Sequence, residues 1–189
     1  MEMLAPILIG VGLSAACGFR VFMPLLVMSL AAQFGLLSLS PGFEWIGSDA
    51  GTVAFAVATV LEISGYFIPW LDHLLDSIAT PAAVLAGILA TASLLGDFSP
   101  LLRWSLAIIA GGGAAGLVQA STVALRGLSL ATTGGLANPV FSLLETLGAA
   151  GLSVFAILLP IIALILIVAL ILFALTRILR RKNKNLTFE

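Results

Sequence analysis

An all-helical integral membrane protein of about six crossings is the fold class that this sequence predicts. Three observations carry that expectation. Hydrophobic residues make up 61% of the chain and the mean hydropathy is +1.22, while only 9% of residues are charged; a soluble domain has roughly 25%. Several windows exceed the roughly 18 apolar residues that a spanning helix needs. The charges are also segregated. Arg177, Arg180, Arg181, Lys182 and Lys184 cluster at the C-terminus, whereas the stretch SLSPGFEWIGSD holds Glu44 and Asp49 and no basic residue. The net charge of −1 therefore says little. The positive-inside rule places the basic tail in the cytoplasm, and an even number of crossings places both termini there, in a bacterial plasma (inner) membrane. The tail is expected to anchor topology, with no nucleic-acid partner.

The first apolar stretch, residues 4–36, would make a helix of about 50 Å, too long for a hydrocarbon core of about 30 Å. A break is expected at GFRVFMP, where Gly18 loosens the backbone and Pro24 removes a hydrogen bond. Arg20 lies at that break. An arginine at the centre of a spanning helix costs roughly 2.5–3.5 kcal/mol, so Arg20 should face a partner, a cavity or the interface. Gly10, Ser14 and Gly18 form a ridge for close helix contact. Cys17, the one cysteine, permits no internal disulfide. LSAAC is similar to a lipoprotein processing site, but Glu2 precedes it without a basic residue and Arg20 follows, so no cleaved signal is expected.

An external loop with Trp45 at the interface comes next, then a second crossing over residues 51–69 that contains Glu62. Residues 70–78 are amphipathic at helical spacing. Trp70, Leu71, Leu74, Leu75 and Ile78 share one side, with Asp72, His73, Asp76 and Ser77 on the other. A short surface helix accounts for this, and the two aspartates and one histidine lack the spacing of a metal class. Thr80-Pro81 should then open a third crossing that runs to Leu95, followed by the loop GDFSPLLRW. The fourth crossing is expected from Trp104. It carries a second small ridge at Gly112, Gly116, Ala120 and Ala124, and a polar stripe at Gln119, Thr122 and Arg126.

The fifth element is the stretch from Arg126 to Glu145, conspicuous for its charges and its breakers. Thr132, Thr133, Gly134 and Gly135 lack helical periodicity and read as irregular backbone. Asn138 suits an N-cap and Pro139 the first helical position. Asn138, Ser142 and Glu145 then share one face of the new helix. The sixth crossing runs from Gly151 to Thr176 through Pro160.

Two pieces of the chain recur. GVGLSAACGFR and GLVQASTVALR each run from a glycine to an arginine, Gly10 to Arg20 and Gly116 to Arg126, and LLDSIATPAA matches LLETLGAAGL with Asp76 opposite Glu145. Their common order predicts a 3+3 inverted repeat with broken or re-entrant helices: residues 1–96, residues 97–180 and a cytoplasmic tail at 181–189.

GFRVFMP together with TTGGLANPVFSLLE resembles a family of small polytopic membrane proteins catalogued as domain of unknown function four-one-two-six. The resemblance covers most of the chain; it implies the fold and supplies no chemistry. ANPV is also similar to the half-helix signature of the aquaporins. A second copy is no better than Thr80-Pro81-Ala82, and none of their residues is carried over.

These features favour a transporter or channel for a small polar or anionic solute bound at the interface between the halves. Arg20, Arg126, Thr132, Thr133, Gly134, Gly135, Asn138, Ser142 and Glu145 are the candidate solute-binding residues, and Glu145, Glu62 and Asp76 are candidates for proton coupling. The alternative is a structural or assembly protein whose arginine–carboxylate pairs only hold the bundle together. No nucleophile–base pair, metal motif or phosphate loop is present in the sequence, so no enzyme activity, cofactor or metal is expected. The expected partners are the lipid bilayer, the solute and a second copy through the small-residue faces.

Overall fold

A computed structural model describes residues 3–65, 69–133, 138–163 and 165–169, with 172 and 176; at 69–77, 130, 133, 138 and 139 it describes the backbone alone. The fold is all-helical, 84% helix with no strand among the described residues. Its elements are α1 (Leu4–Cys17), α2 (Phe22–Gln33), a 3-10 turn (Glu44–Gly47), α3 (Asp49–Gly65), α4 (Pro69–Ala92), α5 (Pro100–Leu106), a π-helical segment (Ala107–Gly112), α6 (Gly113–Thr133) and α7 (Asn138–Leu158).

The first apolar stretch breaks where the sequence predicts, between Cys17 and Phe22, but Gly18 serves there as part of the contact ridge and not as a loosened joint. Its backbone is ordinary right-handed helix, and its N–H closes a turn on the Ala15 carbonyl at 3.1 Å. A Cβ at Gly18 would lie 2.6 Å from the Ala115 carbonyl oxygen and from Val118 Cβ, so glycine is needed because α6 passes against it. At its far end α2 stops in a left-handed glycine. Gly35 has φ +71°, and the Leu36 N–H reaches back to Ala31 at 2.8 Å.

α1 lies at the centre and packs on α4, α6 and α7. Its ridge is used inside the fold. Ser14 Oγ donates to the Gly87 carbonyl at 2.6 Å and lies 2.8 Å from Thr91 Oγ1, while Gly10 rests on Thr91. The π-helical turn faces the same place. A Cβ on Gly111 would collide with Thr91 Oγ1 and the Gly87 carbonyl, so the widened turn lies tight against α4.

Three element boundaries differ from the sequence expectation. The surface helix over 70–78 and the crossing from Thr80-Pro81 are one helix, α4, with Pro81 in its interior. A proline there removes a single bond to the carbonyl four residues back. Beyond it, buried Ala83, Ala86 and Ala90 hold the helix in place. The helix expected from Trp104 begins at Pro100 and continues to Thr133, so Thr132 and Thr133 are helical where irregular backbone was expected. Thr132 Oγ1 donates to the Leu128 carbonyl at 2.8 Å, a bond to its own helix. Gly134 and Gly135 lie outside the described residues. Finally, α7 runs unbroken through Gly148 and Gly151, and the helix yields only at Leu159, before Pro160. Helical turns resume over 160–163 and 165–169.

Side chains are distributed unusually between inside and outside. Ser14, Ser29, Thr91, Ser93, Ser153 and Arg20 are buried among alanines, whereas Leu101, Ile109, Leu144, Leu147, Ile161 and Ile165 are exposed. Two helices, Pro100–Ser129 and Val140–Leu158, are long and apolar enough to cross a membrane, and only 28% of each apolar window is buried.

Candidate functional site

Among the described residues four charged side chains from four elements are buried: Arg20 from the α1–α2 break, Glu62 from α3, Arg126 from α6 and Glu145 from α7. Spacing along α7 builds one wall, because Ser142, Glu145 and Thr146 fall at i, i+3 and i+4 and face the same way. Arg126 engages the Glu145 carboxylate with both prongs of its guanidinium. Nε donates to Oε1 at 3.1 Å and Nη2 to Oε2. That fork geometry is the one in which arginine binds a carboxylate most strongly.

Arg20 approaches the same helix differently. Only 1% of it is exposed. Its Nη2 donates to the Ser142 carbonyl at 2.9 Å and to Ser142 Oγ, and its Nε donates to Thr146 Oγ1 at 3.1 Å. Nη2 also stands 3.8 Å from Glu145 Oε2. Thr146 Oγ1 in turn donates to the Ser142 carbonyl at 2.9 Å. One carboxylate is thus shared by two arginines from distant parts of the chain, one held by a bidentate bond and one at arm's length.

Glu62 meets backbone. Its Oε1 accepts the Val21 N–H at 2.9 Å and its Oε2 accepts the Phe22 N–H at 3.1 Å. These are two of the donors that the start of α2 cannot satisfy within its own helix. A carboxylate there also opposes the positive end of the helix dipole. Pro24 has no N–H, which leaves the first turn of α2 with few other donors.

Among the described residues the polar stripe of α6 is buried at Gln119, Thr122, Arg126 and Ser129. No three His, Cys, Asp or Glu side chains among them lie close enough to hold a metal ion. A cavity of about 320 Å³ lies to one side, between Phe19, Val118, Leu147, Leu152, Phe155 and Ile167, and its lining is apolar.

The family model described as Domain of unknown function (DUF4126) matches residues 7–181. The chain belongs to the DUF4126 family. Neither a curated protein nor a solved structure matches it. The DUF4126 match encloses Arg20, Glu62, Arg126 and Glu145.

Of the candidates in this DUF4126 chain, Arg20, Arg126, Ser142 and Glu145 come together. Thr132 does not join them: it is exposed and bonded to its own helix. Asn138 begins α7, and Thr133 ends α6; their side chains, and that of Asp76 in α4, lie outside the described residues, as do Gly134 and Gly135. Thr146 was missed, although its spacing from Ser142 was a sufficient signal. Glu62 reads from sequence as a group that bonds a neighbouring helix or as a candidate for proton coupling, and the structure shows the first; which helix it meets could not be read from sequence, because its partners are backbone groups forty-odd positions away.

Proposed function

We propose that this DUF4126 protein is an integral membrane protein that moves a small polar or anionic solute, as a transporter or channel, past the cluster of Arg20, Arg126, Ser142, Glu145 and Thr146. The observation that carries the reading is the shared carboxylate. Two buried arginines converge on Glu145, and Arg20 also donates to three neutral oxygens that a solute anion can replace. Buried ionisable groups in a membrane protein default to solute or proton pathways.

Membrane residence is supported by the placement of large apolar side chains outside and hydroxyls inside, the reverse of a soluble core. α1 and α2, with 14 and 12 residues, would be about 21 and 18 Å long, so neither spans a core of about 30 Å alone. Taken as two halves of one broken crossing, they leave Arg20 and the start of α2 at mid-depth, where transporters place discontinuous helices. With α3, α4, the helix from Pro100 to Thr133, α7 and the segment after Pro160, the proposed count is six, with both termini in the cytoplasm of a bacterial plasma membrane. The proposed 3+3 repeat draws support from its two matching arginines, which reach the same glutamate.

A structural role is the second reading, favoured by the closed bidentate bond between Arg126 and Glu145. Flux of nitrate and formate from proteoliposomes separates the two. Transport predicts flux above empty vesicles that Arg126→Ala and Glu145→Gln each abolish. Wild-type vesicles that pass neither anion, nor any other small polar solute tried, would refute it.

A further inference from the structure

We propose that Glu62 is a tethered anion, holding the start of α2 until a small planar oxyanion displaces it, with one proton taken up in the exchange. This deepens the transport reading and rests on it. The Glu62 carboxylate lies across the Val21 and Phe22 N–H groups in the manner of a bound two-oxygen ligand. Formate, bicarbonate and nitrate present the same pair of oxygens, and backbone N–H groups at a helix start suit any of them.

A helix start holding an internal carboxylate is by itself only a capped helix. Two further observations point to exchange. Thr59 lies three residues before Glu62, on the same buried face of α3 that packs against α2. Its hydroxyl is fully buried, yet it has no hydrogen-bond partner, not even the carbonyl of its own preceding turn. It is a buried, unused donor one helical turn from Glu62. Secondly, the positive charges of Arg20 and Arg126 both act on Glu62. An anion arriving from the Arg20 side would therefore enter a positive field that reaches the carboxylate.

Displacement in this setting needs a proton. An incoming anion and an ionised Glu62 would place two negative charges against one helix end, whereas a protonated carboxyl is a weak acceptor that gives up its N–H bonds readily. The groups that bear on Glu62 among the described residues are Cys17 from α1, Arg20 from the break, Arg126 from α6 and, through both arginines, Glu145 from α7. No covalent bond changes: the proton moves from water to the Glu62 carboxylate, and the N–H donors pass to the incoming anion.

Nitrate binding to the purified full chain in detergent, with proton uptake followed in weak buffer, tests this. The expected result is uptake of about one proton per nitrate bound and an apparent Kd that falls about tenfold per unit decrease in pH. Glu62→Gln should bind nitrate with no proton uptake and no pH dependence, and Glu62→Asp, which keeps the charge, should retain the uptake. Nitrate binding to the wild type without proton uptake, or uptake that persists in Glu62→Gln, overturns the tethered anion and leaves the transport reading standing. If neither nitrate nor formate binds to the wild type or to Glu62→Gln, the tethered anion falls, and solute flux in proteoliposomes alone decides the transport reading.

Discussion

Glu145 and Glu62 are both buried carboxylates within the field of the same two arginines, yet they are satisfied by different parts of the protein. Glu145 is met by side chains: Arg126 grips it with two bonds and Arg20 stands 3.8 Å away. Glu62 is met by the backbone at the start of α2. The difference is one of exchangeability. Removing Glu145 strands two guanidinium groups, which no ordinary rearrangement can neutralise. Removing Glu62 frees two N–H groups, which a water molecule or a small anion can satisfy.

Glu145→Ala should sharpen that contrast most. Breaking a buried ion pair from one side costs about 3–5 kcal/mol, and here two arginines lose their shared acceptor. Thermal unfolding in detergent checks this, and a melting temperature equal to the wild type would show that Arg126 and Arg20 find other partners. Glu62→Ala should be milder, about 1–3 kcal/mol for unsatisfied buried donors. Added formate should recover part of the loss for Glu62→Ala and none of it for Glu145→Ala, and equal recovery in both would erase the distinction. Thr132→Ala marks the low end. Its side chain is exposed and bonded to its own helix, so stability should change by less than about 0.5 kcal/mol. A large loss of stability would show that Thr132 faces something that the fold does not bring near it.

Legibility in the sequence followed the range of the interactions. The break after Cys17 could be seen because a helix over 4–36 would be too long for one crossing, and a helix starting at Asn138 could be seen because Asn-Pro has local geometry. The meeting of Arg126 with Glu145 was also within reach, since a chain that turns between them can bring them face to face. Local signals failed where packing outweighed them. Pro81 reads as a helix start, yet the alanines after it hold α4 together. Thr132 and Thr133 read as loop, yet the threonine hydroxyl can bond its own helix. Gly18 reads both as a loosened joint and as part of a small-residue ridge, and only the ridge holds, since it is a contact surface for α6. The attachment of Glu62 to Val21 and Phe22 left no trace in sequence, because backbone donors carry no residue identity.

The central claim is that the buried charges serve a solute and not merely one another. The most direct measurement is anion flux through the double variant Arg126→Met, Glu145→Met. Replacing both partners by apolar side chains of similar size removes the bidentate pair as a unit, and Arg20 keeps its bonds to Ser142 and Thr146; exchanging a whole buried pair costs less than removing one partner. The account predicts a protein that melts above the Glu145→Ala variant, inserts normally and passes no nitrate or formate. Flux equal to the wild type in that stable variant would contradict it.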